Sequence, residues 1–211
     1  MKARAELWVK LKVTDLVVET AWLTLTEKLD FDYLRGLTKY SYWFMRCEGK
    51  SLEETADQLD RVITLDSTFT NQNKHKYSLM IEEEKNQTGK GESSFVAKRG
   101  DLKTEEDFTL RSKAPSDKLY ACDCLVSELE SDKNKNYTDR ISGRLDDISI
   151  SEMRAGLVWR LIIEADSSSE AEKKAREISV TRSRREGLLL NPHYQDFEII
   201  STVSLSERGN N

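Results

Sequence analysis

"LRGLTKYSYWFMRCE" occupies residues 34–48, and its reading decides the fold. The stretch is rich in aromatic residues and reads as two strands with a tight turn near Tyr40 to Tyr42. A second stretch, "ISISEMRAGLVWRLIIEA" at 148–165, reads as a hairpin as well, turning at Ala155–Gly156 where glycine relieves the steric cost of positive φ. Trp43 and Trp159 are 116 residues apart, and the same offset maps Glu48 to Glu164, Ser51 to Ser167, Glu54 to Glu170 and Val62 to Ile178. The chain therefore reads as two diverged copies of one unit.

Working outward from the first stretch, "ELWVKLKV" (6–13) alternates apolar and polar residues as a half-buried strand does. "TDLVVETAWLTLTEKL" (14–29) switches to helical spacing through Val18, Ala21, Trp22, Leu25 and Leu29, with Thr14 or Asp15 as N-cap. "SLEETADQLDRVI" (51–63) opens with Ser51 and Glu54 as a capping box and is a second helix. A strand around 76–84 closes the first copy. The second copy repeats this order: a strand in "KLYACDCLV" (118–126), a more polar helix in 134–145, the hairpin, a helix in 167–187 with Ser167 and Glu170 as its capping box, and a strand in "QDFEIISTVSL" (195–205). Leu7 and Trp8 map to Leu119 and Tyr120 at an offset of 112. "NKH" (73–75) maps to "NPH" (191–193) at 118. Drifts of this kind are what loop insertions produce.

The order β-α-β-β-α-β is that of a ferredoxin-like unit. The expected fold is α+β: two tandem ferredoxin-like units with four-stranded antiparallel sheets, packed sheet against sheet as a pseudo-dimer. The expected spans are 1–84, a flexible linker at 85–117, and 118–211. Three glycines and few apolar residues mark the linker, and its "TGKGESS" lacks the spaced glycines of a phosphate-binding loop.

Composition narrows the function classes. The 211 residues are 34% charged, with net charge -5. That balance argues against broad binding of a phosphate backbone, which needs a cationic face. No apolar run approaches the ~20 residues that span a bilayer. "MKARAELWVKLKV" (1–13) has a basic start without the apolar stretch of a secretory signal, so a cytoplasmic protein is expected. Cys47, Cys122 and Cys124 are too few for a disulfide framework and read as core residues; a metal would need two further ligands beside the Cys122–Cys124 pair.

The catalytic motifs sought are absent: no Cys-x-x-Cys, no His-Glu-x-x-His and no serine triad with a recognisable turn. Neither a catalytic residue nor a cofactor or metal site is expected. Trp8, Tyr40, Tyr42, Trp43 and Phe44 suit a sheet core or interface better than a base-stacking platform. The two histidines sit in matching turns. Asn73 and Asn191 suit the helix exit, and Pro192 fixes the chain into the last strand. Local hydrogen bonding explains His75 and His193, with partner contact as the alternative; Asn73, His75, Asn191, Pro192 and His193 are the candidate contact residues.

"GLLLNPHYQDFEII" (187–200) at the end of this unit resembles the C-terminal end of the PurS subunit family of phosphoribosylformylglycinamidine synthase. Leu189, Asn191, Pro192, Asp196, Phe197 and Ile199 match, and "KLDFDYLRGLTKYSYWFMRCEGKSLEETADQL" (28–59) is similar to the family's middle section. The resemblance implies a non-catalytic subunit of purine biosynthesis, a homodimer of ferredoxin-like units holding the large synthase subunit and the glutaminase subunit together while ammonia passes. A tandem chain would be a covalent form of that dimer, with a further homodimer of tandem chains left open. This chain differs in its double length, in Lys74 where the second copy has Pro192, and in the polar 134–145 segment. The other readings are a small-molecule sensor built on paired ferredoxin-like units and, disfavoured by charge, a single-stranded RNA binder. Neither first strand-to-helix turn, "VTDLVVE" or "VSELESD", has the glycines a sensor would use.

Overall fold

A computed structural model describes residues 1–84, 96–104, 107–111, 118–128, 132–181, 187–191 and 193–205. Among the described residues the fold is mixed α/β, with one seven-stranded antiparallel sheet and four α-helices. The strands are β1 (Lys2–Leu11), β2 (Leu34–Glu48), β3 (His75–Glu83), β4 (Val96–Gly100), β5 (Leu119–Glu128), β6 (Ser149–Glu164) and β7 (Gln195–Ser204). The helices are α1 (Leu16–Leu23), α2 (Leu52–Leu65), α3 (Asp132–Ser142) and α4 (Ser168–Ser179). Strand order is β4-β3-β1-β2-β6-β5-β7. Among the described residues no helix is long and apolar enough to cross a membrane.

The expected pair of four-stranded sheets is corrected to this one sheet, and the two hairpins are the reason. Residues 34–48 form one strand of 15 residues, and 149–164 one strand of 16. A two-residue hairpin loop needs residues at positive φ. "KYSY" supplies no glycine, asparagine or aspartate, and no residue of either segment has positive φ. Gly156 has a different task. A Cβ there would lie 2.6 Å from the Val126 carbonyl oxygen and 2.8 Å from a Leu125 methyl, so glycine lets β5 approach β6 closely.

Two compact units result, each assembled from three segments. The first contains Met1–Val13, Ser41–Glu106 and Ser131–Ala155; the second contains Thr14–Tyr40, Asp107–Glu130 and Gly156–Asn211. They interleave the spans 1–84 and 118–211 rather than following them. β2 and β6 each give one half to either unit.

In the first unit Ala3, Ala5, Leu7 and Val9 alternate toward a core closed by Trp43, Met45, Leu79 and Ile81. α2 covers that core with Leu52, Ala56, Leu59, Val62 and Ile63, and α3 with Ile141 and Tyr137. In the second unit Cys122, Cys124 and Val126 face Trp159, Leu161 and Ile163. Here α4 brings Ala171, Ala175 and Ile178, and α1 brings Val18 and Ala21. The first helix of each sequence copy therefore closes a core whose other helix belongs to the opposite copy.

Helix starts follow the sequence. Ser51 Oγ accepts from the Glu54 N–H at 3.3 Å, Ser167 Oγ from the Glu170 N–H at 3.2 Å, and Asp15 Oδ1 from the Val17 N–H at 2.9 Å. Each cap stabilises its helix by about 1 kcal/mol. The helix expected over 14–29 is α-helical only to Leu23 and continues as a π-helical turn, Thr24–Lys28.

Register refines the duplication. Trp43 is opposite Leu7 on β1, and Trp159 is opposite Cys124 on β5. Leu7 thus corresponds to Cys124, an offset of 117, and the expected match to Leu119 is corrected. Leu79 lies opposite Leu7 and Ile199 opposite Cys124, an offset of 120 in the last strand of each copy.

The span expected as a flexible linker contains structure. Val96–Gly100 is β4 and pairs antiparallel with β3. In the second unit Phe108 packs against Leu119, Ala121 and Ile162. The Arg111 N–H donates to the Arg35 carbonyl at 2.8 Å, and the Thr109 carbonyl oxygen lies where a Cβ on Gly36 would stand.

Candidate functional site

Two turns carry most of the residues singled out in the sequence. In the first, Asn71 Oδ1 accepts from the Asn73 N–H at 3.0 Å, the Asn71 N–H donates to His75 Nδ1 at 3.0 Å, and the His75 N–H returns to the Asn71 carbonyl at 2.7 Å. In the second, Asn191 Oδ1 accepts from the His193 N–H at 3.1 Å, the Asn191 N–H donates to Gln195 Oε1 at 2.9 Å, and the Gln195 N–H returns to the Asn191 carbonyl at 3.0 Å. The bonds superpose at an offset of 120, not 118. Asn191 therefore corresponds to Asn71, and His75 corresponds to Gln195.

The structure separates the two histidines. His75 is half-buried and serves as an acceptor, which fixes its proton on Nε2. Burial, helped by the Lys74 ammonium, pushes its pKa down and keeps the ring neutral. An amide oxygen fills the same role in the second copy, so no proton transfer is required there. His193 is exposed beside Tyr194, which is 73% exposed. Asn73 and Asn191 are exposed too, and Pro192 lies outside the described residues.

A second feature, absent from the sequence reading, is a charged cavity of about 280 Å³ in the second unit. Arg35 pairs with Glu164 at 2.6 Å, Lys118 with Asp166 at 2.7 Å and Lys174 with Glu170 at 2.8 Å. Lys174 also lies 4.9 Å from the centre of the Tyr33 ring. The hydrogen bond from Lys118 holds the Asp166 carboxyl below the usual range, and that from Lys174 does the same for Glu170. Each cation of the wall already has a carboxylate, and Asp32 adds a further negative group. Such a wall suits a small zwitterionic or hydroxylated molecule better than a strong anion.

A third feature is a buried ion pair. Arg160 Nε and Nη2 donate to the two carboxylate oxygens of Asp123 at 2.7 and 2.8 Å, with both side chains 6% exposed. The Tyr40 ring lies 5.4 Å from the guanidinium carbon, and Tyr40 Oη donates toward Asp107. Burial pushes the Tyr40 phenol up, so it stays protonated. Sequence alone did not join these residues, because pairing of Asp123 with Arg160 depends on the β5–β6 register.

Trp8, Tyr40, Tyr42, Trp43 and Phe44 form no open stacking platform. Trp43 packs edge-on against Phe69 in the first unit's core, and Trp8 packs edge-on against Tyr42 with both buried. Phe44 is half-buried beneath the Arg154 and Arg46 guanidiniums at 4.7 and 5.6 Å. The three cysteines are buried. Desolvation pushes the Cys47 thiol up to about 11 and the Cys122 thiol up to about 12. Among the described residues no three His, Cys, Asp or Glu side chains are grouped to hold a metal ion. No protein-family model, curated protein or solved structure matches this chain.

Proposed function

We propose that this chain is a non-catalytic bridging subunit of a phosphoribosylformylglycinamidine synthase complex, holding the synthase and glutaminase subunits together for ammonia transfer. The observation that carries the reading is the interleaving of the two copies, since each core takes one helix from either copy. A fused obligate dimer is built this way. We read each unit as ferredoxin-like, with neighbours β3-β1-β2-β6 in the first and β7-β5-β6-β2 in the second. That is the spatial order of a βαββαβ unit in which the second strand and its helix come from the other copy. The resemblance of 28–59 and 187–200 to the PurS subunit family supports this choice of complex. Fusion makes the association of the halves intramolecular and independent of dilution.

The test is capture of the tagged full chain from native lysate, with ADP and glutamine present. Retention of a large ATP-dependent synthase subunit and a glutaminase, with glutamine-dependent activity in the eluate, supports the bridge. Loss of both subunits removes it. The cavity beside Arg35, Lys118 and Lys174 favours a second reading, a small-molecule sensor, and a thermal-shift screen of zwitterionic metabolites tests that separately.

A further inference from the structure

We propose that the turn Asn71–His75 is a proton-operated switch of the first copy, closed while the His75 ring is neutral and opened when Nδ1 takes a proton, and that the matching turn of the second copy lacks it. This goes beyond the bridging role, because the isolated chain shows it without a synthase subunit. The ring is part of the turn's closure. The Asn71 N–H donates to His75 Nδ1 at 3.0 Å, while the Asn71 carbonyl accepts from the Lys74 and His75 N–H groups at 2.8 and 2.7 Å. The turn in turn sets the start of β3. His75 stands opposite Leu11 of β1, and the Lys12 N–H donates to the Lys74 carbonyl at 2.8 Å.

A neutral imidazole has one acceptor nitrogen, and an imidazolium has none. A proton taken from water onto Nδ1 therefore sets one N–H against another across 3.0 Å, and the Asn71 amide keeps an acceptor only if the turn moves. No other bond is made or broken in the step. The charges around the ring oppose a cation or are engaged elsewhere. Lys74 adjoins the ring and resists a second positive charge. Lys12 reaches the Gln72 carbonyl of the same turn at 2.6 Å, and Lys10 stands opposite Lys76 across β1 and β3. Of the carboxylates on neighbouring elements, Asp66 at the end of α2 is held by the Thr68 N–H, Arg140 and Arg144. Asp60 on α2 accepts from the Tyr77 hydroxyl, and Asp101 after β4 accepts from the Tyr77 N–H.

The second copy is the internal control. Gln195 Oε1 stands where Nδ1 does, accepting from the Asn191 N–H at 2.9 Å, and an amide oxygen keeps its acceptor at any of these pH values. His193 enters its turn through its backbone N–H, with the side chain exposed beside Tyr194. The sign follows from the bond. Burial, then Lys74, keeps the proton off the ring in the closed turn, so the open chain takes it first, at about pH 6.5. Closure is complete above that pH and weakens as pH falls toward the folded ring's own, lower value. Asn73 and His75 are candidate contact residues, so acid remodels the surface of one copy and spares the other.

Amide hydrogen exchange of the full chain tests this by NMR between about pH 7.5 and about pH 5, with the intrinsic pH dependence of exchange divided out. Protection of the Asn71 amide should fall by about fivefold or more, as loss of its acceptor requires, while the Asn191 amide keeps its protection. His75→Gln should make the Asn71 amide as indifferent to pH as that of Asn191. Nitrogen shifts of the ring should show the neutral form carrying its proton on Nε2. If His75→Gln does not fold, the comparison of the two wild-type turns and the ring shifts decide. Constant protection at Asn71, an equal fall at Asn191, an unchanged pH response in His75→Gln, or a neutral ring protonated on Nδ1 overturns the proposal.

Discussion

Arg160 and Asp123 show how much rests on single residues. Both are buried and joined by two short charge-assisted bonds. Removing Asp123 takes both of these bonds from a guanidinium that stays buried. Asp123→Ala should therefore cost about 3–5 kcal/mol in denaturant unfolding, and Asp123→Leu combined with Arg160→Met should recover most of it. His75 makes the opposite case. If its role is to accept from the Asn71 N–H, His75→Gln should fold with a stability change within about 0.5 kcal/mol. Asn71→Ala removes a turn acceptor and should cost roughly 1 kcal/mol. Asp66 sets an acid limit. Burial would raise its carboxyl, but bonds from Thr68 and the charges of Arg140 and Arg144 outweigh burial and hold it below the ordinary value. A depressed carboxyl contributes stability above its unfolded pKa, about 3.9, which is lost as pH falls through the folded value. The acid limb of the stability profile should therefore flatten in Asp66→Asn, as followed by urea midpoints between about pH 5 and pH 2. At this scale the sequence misled in one instructive place. Asn-x-His occurs twice, yet what repeats is the Asn-led turn and an acceptor four residues later, histidine in one copy and glutamine in the other.

Among the elements, α2 and α4 were legible because cap and apolar stripe agree: Ser51 and Ser167 start helices whose buried residues recur at helical spacing. The long strands were not. An aromatic run such as "KYSYWF" alternates as well in one strand as in two, and only the missing turn residues argue against a hairpin. β4 was hidden because "VAKRG" is short and charged, and its pairing with β3 is non-local. Glycine tests the long strands directly. At Gly156 a side chain would meet the β5 backbone, so Gly156→Val should destabilise by about 1–3 kcal/mol in denaturant unfolding. A turn at that position would tolerate valine even less, but would be relieved by Gly156→Asn, whereas the strand is not. At Gly36 a Cβ would stand 2.6 Å from the Thr109 carbonyl oxygen. Gly36→Ala should loosen 107–111, seen as faster hydrogen exchange at the Arg111 amide while amides of α4 keep their protection.

At the scale of the molecule, duplication was readable from the tryptophan offset and the paired caps, whereas interleaving was not. Which copy's helix closes which core depends on the path of β2 and β6, and that path follows from the absence of a turn in each. The charged cavity was equally invisible, since it draws Asp32, Lys118 and Glu164 from distant parts of the sequence. The central claim is that each unit needs segments of both copies. The most direct measurement is to produce residues 1–84 and 118–211 separately and to follow each by circular dichroism and sedimentation, alone and mixed. Neither half should be a folded monomer; each should be unfolded or self-paired, and mixing should restore a cooperative one-to-one species. A half that unfolds cooperatively as a monomer, unchanged by the other, would contradict the account.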